Sequence, residues 1–334
     1  MDRMFRVPAA AMIAAILVAG VALPVQAELP LRKKQCGDVV MTSFRLRNNL
    51  VDCTGDGLVA GASGIIIDLN GKTISGPDFS AGAGPAGSEI NGVEIAALRG
   101  VVVRNGTIRD FSTAVNVYQS HRVTLRNLDV IGTWDQGLRI IGGRRHVVVD
   151  TEIVGAGGDG IYVLESNEVE ITGNRIVNSA DAGIFVNGYD ARIIDNTVRA
   201  NDRGIQAVGG EGYLASNRAL RNRGDGIVVD GDLFMVTLGK AVDNRGDGFA
   251  FTGTGNTIHR VLSTFNDLHG IVGDGADGVV TRNTVCENVL RPQIAVDRDT
   301  TTVRNNTVSA ECASGARSTP SGRGSGSARI TIPS

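Results

Sequence analysis

Arg139, with Asp135, Asp159 and Glu94 at related points of a repeating pattern, is the combination in this sequence best suited to chemistry. A guanidinium there would act as a base or pair with a substrate carboxylate, and the acidic side chains offer the oxygen ligands that Ca²⁺ takes. Residues suited to sugar recognition surround them. Glu94, Asn116, Arg139, Tyr162, Phe185 and Gln206 follow one another at intervals of 21 to 23 residues. They mix charge, amide and flat rings, as a glycan site needs. Tyr118, Trp134 and Tyr189 add aromatic groups with polar handles, and the only Trp and all four Tyr of the chain fall between residues 118 and 213. A rival reading has these rings covering exposed apolar edges, and the sequence leaves both open.

The elements that must position these residues repeat about every 22 residues, the period of a solenoid. Each unit opens on a Gly-hydrophobic-x-hydrophobic strand, as in Gly137-Leu138-Arg139-Ile140, Gly160-Ile161-Tyr162-Val163 and Gly183-Ile184-Phe185-Val186. A second strand such as Val169-Glu170-Ile171 and a third such as Asn174-Arg175-Ile176 complete the unit. A unit this short cannot bury its own apolar side chains, so the units stack and share one core. The fold class is therefore all-β, a right-handed parallel β-helix of about ten three-strand coils with an N-terminal cap. Stacking turns the middle residue of each strand start into an outward column: Glu94, Asn116, Arg139, Tyr162, Phe185, Gln206, then Val228, Ala250 and Val272. The column changes from polar and aromatic to small and apolar after Gln206.

Two columns of Asn, one from Asn70 through Asn105, Asn127, Asn174, Asn196 and Asn217 to Asn306, the other from Asn178 to Asn288, are expected at tight bends as stacked amide ladders. Asp159, Asp181, Asp202, Asp225 and Asp247 precede strand-start glycines. Turn chemistry accounts for them, with calcium as the rival reading. His121, His146, His259 and His269 have no partner at ligand spacing and read as surface residues.

Residues 1–27 read as a secretory signal, with Arg3 and Arg6, an apolar stretch from Ala9 to Leu23 and a Val25-Gln26-Ala27 cleavage site. The protein is thus expected to be secreted or periplasmic, with no membrane span after signal removal. The net charge of −2 becomes −3 without the two Arg and one Asp of the signal, and offers no broad attraction to nucleic acid. Cys36 with Cys53 and Cys286 with Cys312 are expected to form disulfides at the two ends of the array. Residues 28–76 read as the cap and first coil, 77–312 as the repeats with a loop at 77–90, and 313–334 as a disordered Ser/Gly-rich tail.

The strand starts, the Asn columns and a cap with Cys36-Gly37-Asp38 followed by Asp52-Cys53-Thr54-Gly55-Asp56-Gly57 resemble the right-handed β-helix proteins of the pectin-lyase-like superfamily. The resemblance covers roughly residues 36–312. It implies an extracytoplasmic protein whose ligand is a polysaccharide or cell-surface glycan. Asn-Thr-Asp, Gly-His-Gly and Asp-Pro-His signatures of the superfamily's hydrolases and mannuronan epimerases are absent. The first expectation is a β-helix that binds polysaccharide from Glu94 to Gln206. The alternatives are a calcium-assisted uronate lyase or epimerase with Arg139 as base, and a structural or adhesive rod.

Overall fold

The computed structural model describes residues 28–77 and 89–312. The signal, most of the 77–90 loop and the 313–334 tail lie outside them. Every regular element among the described residues is a strand, and no helix there is long and apolar enough to cross a membrane.

Twelve strands stack in parallel into one sheet. It begins with Asp38–Val40 and Leu58–Ala60, continues through Asn91–Ala96, Thr113–His121, Leu138–Arg144, Ile161–Leu164, Ala182–Tyr189 and Arg203–Gly210, and ends at Ile271–Asp274 and Ile294–Val296. Two further strips close each coil. One passes through Val147–Val149, Glu170–Thr172 and Arg192–Ile194, the other through Glu152–Val154, Arg175–Val177 and Thr197–Arg199. The strips fuse where Val102–Arg109 and Thr124–Ile131 run through both. The molecule is a right-handed parallel β-helix.

The coil count exceeds the expected ten, for a physical reason at each end. The stretch read as a cap already winds as coils: Asp38–Val40 pairs with Leu58–Ala60 in full register, and Leu31–Arg32 lies over Phe44–Leu46. The C-terminal extra strand, Ile294–Val296, pairs with Ile271–Asp274 but starts from Gln293 rather than Gly. Both expected disulfides are formed, Cys36–Cys53 and Cys286–Cys312, each with Cα atoms 5.4 Å apart.

Period-2 alternation fills the core. Leu138, Ile140, Ile161, Val163, Ile184, Val186, Ile205 and Ala207 are fully or almost fully buried, and burial of each larger aliphatic group contributes about 1.5–3 kcal/mol. Glycine opens these strands because coils approach closely there. A Cβ on Gly183 would stand 2.9 Å from the Gly204 carbonyl oxygen and 2.7 Å from Asn201 Nδ2.

The Asn columns are resolved more finely than their spacing suggests. Asn70, Asn105 and Asn127 hold the left-handed bend itself, at φ 53°, 62° and 51°. Asn174, Asn196 and Asn217 sit one residue later in their coils, buried, and each of the first two donates its side-chain amide to the next Oδ1 at 3.0 and 3.1 Å. The second column divides likewise: Asn178 has φ 60°, whereas Asn201, Asn222, Asn244, Asn266 and Asn288 form the buried ladder. Within it, Asn222 donates to Asn244 at 2.9 Å and Asn266 to Asn288 at 2.8 Å, and Gln293 closes the series. A left-handed bend and a buried amide are different requirements, so neighbouring positions serve them.

His146 is buried, against the surface reading. It accepts the Val123 N–H at Nδ1 at 3.4 Å, and burial pulls its pKa down to about 4.

Candidate functional site

The outward column follows the sheet register without a slip. Glu94 pairs with Asn116, Asn116 with Arg139, Arg139 with Tyr162, Tyr162 with Phe185, and Phe185 with Gln206. Beyond it the series runs through Val228 and Ala250 to Val272. The residue two positions earlier in most coils is a strand-start Gly, where the next coil packs against the backbone.

The turns before those glycines form the facing wall, and here the acidic residues separate into two rows. Asp159, Asp225 and Asp247 directly precede Gly and are used by the backbone. Each accepts an N–H from the next coil, from Ala182 at 2.9 Å, Asp247 at 2.7 Å and His269 at 2.7 Å. Asp135, Asp181 and Asp202 lie one residue earlier. Their row is continuous, since Gly158 N–H donates to the Asp135 carbonyl, Asp181 N–H to Gly158 and Asp202 N–H to Asp181. Gly158 leaves a gap in this row between Asp135 and Asp181.

Wall and column enclose a cleft of about 300 Å³ lined by Asp159, Tyr162, Asp181, Ala182, Phe185, Asp202, Arg203 and Gln206. Tyr162 and Phe185 stack with ring centroids 5.3 Å apart and planes 13° from parallel. Each ring therefore gives one face to the other, while the outer faces look along the column toward Arg139 and Gln206 and the ring edges line the cleft. Arg203 donates to Gln206 Oε1 at 3.1 Å, and Asp202 pairs with Arg223 at 3.5 Å.

A second group continues the face toward the N-terminus. Asn91 and Asn116 both donate to Glu94 Oε2, each at 2.9 Å. Arg139 forms an ion pair with Glu89 at 3.1 Å, so its nearest anion is a residue the repeat pattern does not single out. Burial pushes the carboxyl groups of Glu94 and Asp135 up, although Arg139 opposes the rise at both. At Asp159 burial raises the pKa to about 6, against the Ala182 N–H, and the charges of Asp181 and Asp135 add to the rise. Three expected carboxyl groups thus share a perturbation that often marks working sites.

The structure gathers Asp159, Tyr162, Phe185 and Gln206 into the cleft and places Glu94, Asn116, Asp135 and Arg139 beside it. Trp134 lies in the turn just ahead of Asp135 and is 39 % exposed. Tyr118 and Tyr189 are farther off. Each precedes a left-handed bend residue, Gln119 or Asp190, at the far end of its strand. Arg203, Asp181 and Asp202 enter the cleft from turns that the sequence presented as ordinary. Among the described residues no three His, Cys, Asp or Glu side chains converge into a group that could hold a metal ion.

Coils, register and an outward cleft define the class as a parallel β-helix with a ligand-sized groove on its strand-start sheet. The chain belongs to the right handed beta helix region family, whose model matches residues 34–198 and 182–326. No curated protein sequence matches it closely enough to count as a relative. Among solved structures it is similar to the periplasmic alginate epimerase AlgG, with 13% identity and a TM-score of 0.63 over 83% of this chain and 77% of that one. It is also similar to the catalytic unit of a thermostable GH87 α-1,3-glucanase from Streptomyces thermodiastaticus, at 13% identity and TM-score 0.58 over 82% and 62% of the two chains. The A-module of the Azotobacter vinelandii mannuronan C-5 epimerase AlgE4 shares 11% identity and a TM-score of 0.51 over 82% and 85%. Likeness at these identities establishes the shared fold.

Proposed function

We propose that this is an exported protein that binds a polysaccharide along the face from Glu94 to Gln206. The observation that carries the reading is the cleft built on the Tyr162–Phe185 stack, with Gln206 beside the rings and acidic groups on the opposite wall. Rings supply apolar contact for the hydrophobic face of a sugar, and the carboxylates and amides bind its hydroxyls. Two disulfides fit an oxidising compartment. The printed activities of the structural neighbours, alginate epimerase, mannuronan epimerase and α-1,3-glucanase, all concern polysaccharides.

Isothermal titration against a panel of neutral, anionic and amino-sugar oligosaccharides tests the reading. Binding that weakens in Tyr162→Ala/Phe185→Ala while the unfolding midpoint is unchanged supports it. Absence of binding across the panel removes it.

The raised Asp159 carboxyl favours a second reading, an enzyme. A carboxyl that titrates near neutrality is placed to exchange a proton with a substrate. Arg139, ion-paired with Glu89 at 3.1 Å, serves in this reading as a fixed cation. Ultraviolet absorbance of unsaturated sugar ends, with Ca²⁺ and with chelator, tests the lyase form. No rise on any uronate polymer removes it for those substrates.

A further inference from the structure

The groove has a one-sided inventory of charge and of hydrogen-bonding groups. Six carboxylates line or flank it: Glu89, Glu94, Asp135, Asp159, Asp181 and Asp202. Three guanidiniums answer them, and all three are engaged. Arg139 sits on Glu89 at 3.1 Å, Arg203 on Gln206 at 3.1 Å, and Arg223 on Asp202 at 3.5 Å with a further bond to the Ala180 carbonyl at 3.1 Å. Three negative charges remain uncompensated when all the groups are ionised.

Of the groups that line the cleft itself, Asp159, Asp181 and Asp202 are acceptors and Arg203 is the one cation. Asp181, between Asp159 and Asp202 on the cleft wall, has no side-chain hydrogen bond or ion pair among the described residues. A groove with surplus acceptors and surplus negative charge is complementary to a ligand rich in donors and positive charge.

We propose that the polysaccharide bound on this face carries free amino groups, as a polymer of hexosamine residues without their N-acyl caps would. The inference rests on the polysaccharide reading above and specifies its ligand class. An ammonium group supplies three donors and one positive charge in a compact head. Seated at Asp181 it lies between the neighbouring carboxylates of Asp159 and Asp202. A uronate chain would instead add carboxylates to a groove in which they already outnumber the cations, and in which Arg139 and Arg223 are ion-paired and Arg203 is held on Gln206. Burial, which discourages charge on Glu94, Asp135 and Asp159, is offset once an ammonium sits among them.

The test is isothermal titration of the protein purified after export of the full chain, with three oligosaccharides of equal length: glucosamine oligomer, its fully N-acetylated counterpart, and oligogalacturonate. The expected result is at least tenfold tighter binding of the glucosamine oligomer than of either of the others, weakening as salt is raised. Asp181→Asn is expected to lower that affinity about fivefold, and Asp181→Asn/Asp202→Asn further, each by more than it lowers affinity for the N-acetylated oligomer. The salt dependence of the unaltered protein keeps the proposal falsifiable if the double variant folds poorly. Equal binding of amino and N-acetyl oligomers, or tighter binding of oligogalacturonate, overturns the amino-sugar inference and leaves polysaccharide binding standing. No binding of any of the three, or of the wider panel, overturns both.

Discussion

Replacing Asp159 by Asn isolates the electrostatic consequence of burying a carboxylate in the turn wall. The substitution keeps an oxygen at Oδ1, where the Ala182 N–H donates at 2.9 Å, and removes the charge. In the folded protein the carboxyl titrates at about 6 against an ordinary 3.8. Between roughly those values the folded state holds a proton that the unfolded chain has released. Stability from this group is therefore present at low pH and lost as pH rises through the folded pKa. At about 1.4 kcal/mol per pKa unit the loss has an upper limit of about 3 kcal/mol. Asp159 is partly open to water, and screening reduces the figure to about 1–2 kcal/mol. Asn does not titrate, so Asp159→Asn is expected to be more stable than the parent near pH 8 by about 1–2 kcal/mol, with the difference vanishing toward pH 4. Other groups titrate in this range. Glu94, Asp135 and Asp225 are also pushed up by burial, whereas His146, pulled down to about 4, contributes stability present above its unfolded value and lost as pH falls. The quantity to measure is accordingly the difference in urea midpoint between variant and parent at each pH. A variant less stable than the parent near pH 8, or a difference that does not change with pH, refutes the reasoning.

Asn222→Ala breaks the buried ladder, leaving the Asn201 N–H without its acceptor and Asn244 Oδ1 with only the backbone N–H of residue 222, and is expected to lower stability by about 2 kcal/mol in chemical unfolding. Tyr162→Ala/Phe185→Ala is expected to weaken oligosaccharide binding about tenfold, from loss of ring contact worth about 0.5–1.5 kcal/mol per ring, as read by titration. Opening the Cys286–Cys312 bridge, which closes 26 residues, by Cys286→Ser/Cys312→Ser is expected to lower stability by about 3 kcal/mol. The unfolding midpoint checks it, and the loss is expected to appear at the C-terminal coils first in hydrogen exchange.

The strand-start sheet was legible because its two requirements are written in residue types: glycine where coils approach, and alternation where one side chain in two faces the core. The same pattern in Gly57-Leu58-Val59-Ala60 marks a coil inside the supposed cap. Gln293-Ile294-Ala295-Val296 hides the last one, since Gln stands where Gly is expected. Register then made the column from Glu94 to Gln206 readable residue by residue. The wall was not readable in that way. Asp159 and Asp181 look equivalent before a strand start, and only the one-residue offset decides that the first is used by a backbone N–H while the second stands free in the cleft. Glu89 could not be tied to Arg139 because 50 residues separate them and their meeting depends on how the coils superpose. His146 gave no sign of burial, as its neighbours Arg144 and Arg145 are surface types.

Folding places its demands on the inward residues, the strand-start glycines and the bends, and the outward column answers to none of them. From Glu94 to Val272 that column passes through acid, amide, cation, rings and aliphatics while the pairing register holds throughout. Specificity in such a molecule is heritable by the coil. Duplicating or excising one unit of the repeat moves an intact recognition element along the rod, so new ligands are reached by reordering a text whose grammar stays the same.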